Sequence, residues 1–133
     1  LFAGALPPST VYLISPIFPE PYAIPMTDRL TITLAQLNPV VGAVSGNIDK
    51  VRDARRQAAE AGADLIVCSE LVVSGYPPED LVMKPFFLDK VAAAVNEFAA
   101  ETSDGGPAVL LTAPWRDGER TFNAVLLLDG GAV

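Results

Sequence analysis

Two short runs of β-branched and aliphatic residues, with a helix-spaced stretch between them, leave this chain few folds to choose from. Leu30-Thr-Ile-Thr-Leu-Ala-Gln-Leu37 reads as a strand stopped by the turn dipeptide Asn38-Pro39. Asn47 then stands where it would cap a helix reaching Ala61, with Ile48, Val51, Ala54, Ala58 and Ala61 at the spacing of one buried stripe. Lys50, Arg52, Asp53, Arg56 and Glu60 fall mostly on the other side, and Gly62 suits the stop. Ala63-Asp-Leu-Ile-Val-Cys-Ser69 is a continuous apolar run, which predicts a strand covered on both faces. A strand, a helix and a second strand in that order imply parallel pairing through a right-handed crossover.

The pattern repeats. Pro78 suits a first helical position, with Glu79 and Asp80 complementing the helix dipole. Pro85 separates that turn from a helix over Phe87–Thr102 whose stripe is Leu88, Val91, Val95 and Phe98. After Asp104-Gly-Gly-Pro107 comes another apolar strand, Ala108–Ala113. A hairpin turn over Arg116–Arg120 leads into Phe122–Leu128, and Asp129-Gly-Gly131 begins the next turn. The fold class is α/β, with parallel strands followed by an antiparallel hairpin. A sheet that ended here would expose an edge, so the expectation is that a partner strand or covering helix is missing. The alternative is a small α/β domain complete in itself.

Composition narrows the chemistry. The chain has 133 residues, net charge −7, one cysteine and no histidine. No histidine means no Ser-His-Asp triad and no histidine base, and one cysteine excludes an internal disulfide. The acidic balance argues against nucleic acid and anionic membranes as partners. Residues 1–25 hold six of the twelve prolines and a single ionisable side chain, Glu20. They lack a basic n-region and an uninterrupted apolar run, so neither a signal peptide nor a membrane span is expected. This stretch reads as a proline-rich extension of loose, extended chain that is not native, with Met26 as the natural start and residues 26–133 as the domain portion. The single unpaired thiol suits a reducing compartment, which makes the cytoplasm the expected location.

Chemistry concentrates in Cys68-Ser-Glu-Leu-Val-Val-Ser-Gly-Tyr-Pro-Pro-Glu-Asp80, where an apolar strand delivers Glu70 at its carboxyl end. Open α/β sheets gather their sites there, and a carboxylate beside apolar walls suits a general base. Equally, Glu70 can cap a turn by accepting backbone N–H bonds. Cys68 and Glu70 share strand parity, which allows a thiol–carboxylate dyad on one face, while a lone cysteine in an apolar strand also reads as a small buried hydrophobe. Ser69 has no evident activator. Gly75 suits an unusual backbone angle before a stiff Tyr76-Pro-Pro78 corner. Asp49, Asp53 and Asp64 do not make a ligand pattern, and no metal is expected.

Residues 30–133 resemble the start of a carbon–nitrogen hydrolase (nitrilase-superfamily) domain, of the branch that forms the amino-terminal glutaminase domain of glutamine-dependent NAD synthetases. The resemblance rests on Leu34-Ala-Gln-Leu-Asn-Pro-Val-Val-Gly42 with Gly46-Asn-Ile48, and on Ala61-Gly-Ala-Asp-Leu-Ile-Val67. It continues through Ser69-Glu-Leu-Val-Val-Ser-Gly-Tyr-Pro-Pro-Glu-Asp-Leu81 and Asn123-Ala-Val-Leu-Leu-Leu128. The resemblance implies the amino-terminal, truncated part of an αββα sandwich whose active site uses a glutamate, a lysine and a cysteine. Glu70 matches the catalytic glutamate, and Tyr76 matches a tyrosine near the glutamine pocket. The family's lysine and nucleophilic cysteine match nothing here, since Lys84, Lys90 and Cys68 all stand elsewhere. The implied protein is therefore a fragment that binds no cofactor of its own and releases no ammonia from glutamine alone. Its parent is a carbon–nitrogen ligase, homo-oligomeric, using ATP and Mg in a carboxy-terminal synthetase domain to amidate deamido-NAD. The alternatives are another superfamily amidase or carbamoylase acting on a small amide, and a non-catalytic α/β interaction module.

Overall fold

The computed structural model describes residues 29–133. The proline-rich extension over residues 1–25 and the suggested start at Met26 lie outside the described residues. Four strands and two long helices follow in the order β1 (Ile32–Ala35), α1 (Val44–Glu60), β2 (Leu65–Cys68), α2 (Pro85–Glu101), β3 (Ala108–Asp117) and β4 (Arg120–Leu128). Short 3-10 turns, Glu79–Met83 and Thr102–Asp104, bracket α2. The strands line up as β1-β2-β3-β4, parallel from β1 to β3, with β4 antiparallel to β3. The parallel order and the hairpin match the expectation from sequence.

Because the first three strands advance in one direction, right-handed crossovers put both helices on the same face. That face holds the core. Val44, Ile48, Val51 and Ala58 from α1 and Val91, Val95 and Phe98 from α2 pack on Ile66, Val109, Leu111 and Leu128. Each fully buried aliphatic side chain contributes about 1.5–3 kcal/mol relative to exposure. The stripe expected on α2 is buried along its whole length.

The opposite face is open, which corrects the expectation that β2 is covered on both sides. Along β2, Ile66 and Cys68 are buried while Leu65 and Val67 are only half-buried. The same-face neighbours Leu34 and Val125 are 72% and 65% exposed. The apolar run met both sides of the sheet, but the helices cover one.

Two further differences concern α1. It begins at Val44, so Asn47 is not its cap; the Asn47 N–H already donates to the Ala43 carbonyl at 2.9 Å, an intrahelical bond. The side chain is drawn away to loop backbone described below. Arg55, on the buried side, forms a two-pronged pair with Asp104 at 2.8 and 2.6 Å and donates to the Pro107 carbonyl at 2.8 Å. A guanidinium with this many partners tolerates burial, and it ties α1 to the segment leading into β3. Next to it, Arg52 pairs with Glu101 through two bonds of 2.7 Å. No helix among the described residues is long and apolar enough to cross a membrane.

Candidate active site

β2 ends at Cys68, and the chain turns immediately afterwards. Leu71 adopts φ +49°, a left-handed angle that costs a non-glycine residue about 1 kcal/mol and needs support from its surroundings. Thr112 on β3 supplies much of it. Its hydroxyl donates to the Ser69 carbonyl and accepts the Val72 N–H at 3.1 Å, while its carbonyl accepts the Val73 N–H at 3.2 Å. Thr112 points to the face without helices, and so it reaches the loop that crosses the end of β2.

A second set of bonds fastens the far side of this loop to the segment before α1. Asn47, buried in α1, accepts the Val40 N–H and donates to the Val40 carbonyl, both at 2.8 Å, and also donates to the Val73 carbonyl. The Gly42 N–H donates to the Ser74 carbonyl at 2.9 Å. Gly75 lies against this segment with φ +76°, and a Cβ there would meet the Val41 Cα at 2.7 Å. Both its angle and its surroundings demand glycine, as the sequence suggested from the angle alone.

Glu70 projects from this braced loop and is exposed. Its Oε1 accepts a hydrogen bond from Asn123 Nδ2 at 2.7 Å. Asn123 belongs to the same face of β4 as Val125 and Leu127, the face without helices. Cys68 lies on the opposite side, buried among the core residues, where desolvation pushes its thiol up to about 11. The shared parity of Cys68 and Glu70 therefore does not bring them together. The strand ends between them, and the reading of Cys68 as a small buried hydrophobe is the one the structure supports. Lys84 is held by Asp80 at 2.7 Å.

Tyr76 is 62% exposed at the loop's outer corner, and no hydrogen bond joins it to Glu70. A cavity of about 330 Å³ opens beside the site, walled by Leu71, Val82, Met83, Pro114 and Phe122, with Asn123 as a polar group at its edge. A larger groove of about 430 Å³ lies elsewhere, between β1 and α1, and shares none of these residues. Among the described residues no three acidic or sulfur side chains converge on a metal-sized site.

Sequence reasoning named Glu70, Tyr76 and Gly75 but assigned no role to Thr112 or Asn123. A threonine in the apolar run of β3 and an asparagine in the apolar run of β4 were the available signals. Each is a polar residue next to apolar ones in its strand, and each faces the open side.

The carbon-nitrogen hydrolase family model matches residues 31–132. A glutamine-dependent NAD(+) synthetase of Rhodobacter capsulatus is 44% identical over 108 residues, covering 81% of this chain and 19% of that protein. Its counterpart from Thermotoga maritima is 40% identical over 105 residues, covering 79% of this chain and 18% of that protein. Among solved structures, a glutamine-dependent NAD(+) synthetase from Cytophaga hutchinsonii superposes with TM-score 0.71 at 27% identity, over 77% of this chain and 17% of that one. An amidase from Nesterenkonia sp. superposes with TM-score 0.65 at 26% identity, over 77% of this chain and 40% of that one. The chain spans about a fifth of the length of the curated relatives it matches.

Proposed function

The chain belongs to the carbon-nitrogen hydrolase family, and on that premise we propose that it is the amino-terminal portion, residues 26–133, of the glutaminase domain of a glutamine-dependent NAD synthetase, with Glu70 as its proton-transfer residue. The observation that carries this reading is the placement of Glu70. It stands just past the carboxyl end of a parallel strand, on a loop braced by Thr112 and Asn47, with one carboxylate oxygen held by Asn123. The extent of the likeness to NAD synthetases supports the choice of branch.

In this reading the nucleophilic cysteine and the lysine lie outside residues 1–133. Glu70 takes the proton of that cysteine thiol as the sulfur attacks the side-chain amide carbon of glutamine, and the lysine stabilises the oxyanion. Glu70 then returns the proton to the departing nitrogen, so ammonia leaves and a thioester remains. Glu70 next draws a proton from water, which cleaves the thioester to glutamate and regenerates the thiol. Tyr76, at the exposed corner of the same loop, borders the glutamine pocket. The ammonia passes to a carboxy-terminal domain that uses ATP and magnesium to amidate deamido-NAD. The same reading makes the parent protein cytoplasmic and homo-oligomeric.

The test is Glu70→Gln in the full-length polypeptide carrying this segment, with glutamine-driven and ammonia-driven NAD formation assayed side by side. Glutamine-driven synthesis is expected to fall by ~100-fold or more while ammonia still supports the reaction. Unchanged use of glutamine would leave Glu70 a structural carboxylate. The likeness to the Nesterenkonia amidase favours a second reading, hydrolysis of a free small amide, in which the same variant abolishes amidase turnover and ammonia drives no synthesis.

A further inference from the structure

We propose that Asn123 is a positioning residue for Glu70, holding one carboxylate oxygen so that the other faces the reacting atoms; this rests on the reading of Glu70 as the proton-transfer group. The two residues are 53 positions apart and meet only because β4 folds back along β3. Asn123 sits directly opposite Pro114, with the pairs Ala113–Ala124 and Trp115–Phe122 on either side. Its backbone is therefore part of a ladder rather than a loop, and a donor on a strand is more firmly aimed than one on a flexible segment.

The position is chemically specific. On the same face of β4 the side chains run Thr121, Asn123, Val125 and Leu127, and Asn123 is the one that bonds Glu70. A lysine or arginine there would also orient the carboxylate, but its charge would oppose protonation and weaken Glu70 as a base. A neutral amide orients without adding a charge. Only Oε1 is engaged among the described residues, which leaves Oε2 available for the proton.

The experiment uses the full-length polypeptide carrying this segment. Asn123→Ala and Asn123→Asp are compared with Glu70→Gln, and Asn123→Ala is repeated in a Glu70→Asp background. Glutamine turnover is normalised to the ammonia-driven rate of the same preparation, which removes any loss through misfolding. Asn123→Ala is expected to lower kcat for glutamine by about tenfold and leave KM within about twofold, since the lost bond serves the carboxylate rather than the substrate. Asn123→Asp, which keeps the shape but sets an acceptor against Glu70, is expected to lose at least as much. In the Glu70→Asp background the shortened carboxylate has already withdrawn, so Asn123→Ala adds nothing further. Wild-type kcat in both Asn123 variants while Glu70→Gln is inactive overturns the role of Asn123 alone, as does an undiminished Asn123→Ala effect in the Glu70→Asp background. Full glutamine use by Glu70→Gln overturns the assignment of Glu70, and the role of Asn123 with it.

Discussion

The side-chain amide of Asn47 donates to the Val73 carbonyl at 3.1 Å, joining helix α1 to the loop that follows Glu70. The same side chain satisfies both backbone groups of Val40, and it is 1% exposed. Removing it leaves the Val40 N–H and the buried Val73 carbonyl without this partner, while the Val40 carbonyl keeps the Ala43 N–H. Asn47→Ala is expected to destabilise the fold by about 2–4 kcal/mol, read as a shift of the urea midpoint without a change in slope. A midpoint equal to wild type would mean that water replaces the amide at no cost.

Gly75 and Gly105 separate two penalties that usually travel together. Both have left-handed angles, φ +76° and +75°, but a Cβ on Gly75 collides with the backbone of Val41 whereas one on Gly105 meets nothing within 4 Å. Gly105→Ala is expected to cost about 1–2 kcal/mol, from the angle alone. Gly75→Ala is expected to cost more than that and to loosen amide exchange at Gly42, whose N–H is bonded to Ser74. Equal midpoints for the two variants would show that the segment before α1 moves aside freely.

The Arg55 guanidinium, assisted by the Gly106 N–H, holds the Asp104 carboxyl well below the usual carboxylate range. Since the folded value lies below the unfolded one, this contribution is present above pH ~4 and is lost as pH falls through the folded value. Asp104→Asn is therefore expected to be less stable than wild type at pH 7, with the gap narrowing as pH is lowered toward ~2. Chemical denaturation at both pH values measures it, and a gap that stays constant contradicts the assignment. Because the Asp104 side chain is 55% exposed, solvent screening keeps the effect modest.

Burial pushes the Cys68 thiol up to about 11, and the side chain lies within the core. A thiol-specific reagent at pH ~8 is expected to modify it slowly in the folded chain and fully after denaturation. Rapid labelling of the folded chain would place Cys68 at the surface and reopen a role for it as a nucleophile.

The open face of the sheet carries Leu34, Val125 and Leu127 at 72%, 65% and 54% exposure. The 133-residue chain on its own is expected to sediment as concentration-dependent aggregates, and Leu34→Lys with Leu127→Lys is expected to shift it toward monomer. Monomeric sedimentation of the unmodified chain at all concentrations contradicts this.

The order of strands and helices, the stripe on α2 and the position of Glu70 at the end of β2 were legible in the sequence, because each depends on spacing between near neighbours. Periodicity of apolar residues reports which side of an element is buried, and a turn signal reports where it stops. What only the tertiary structure decided is the use of the polar residues: Asn47 as a brace rather than a cap, Arg55 as a partner of Asp104, Thr112 and Asn123 turned toward the loop at Glu70, and Cys68 facing away from it. A hydrogen bond between residues 26 to 53 positions apart leaves no local pattern, since its existence depends on how the strands and helices pack against one another. The same reason explains β2, whose apolar run gave no sign that its second side would stand open.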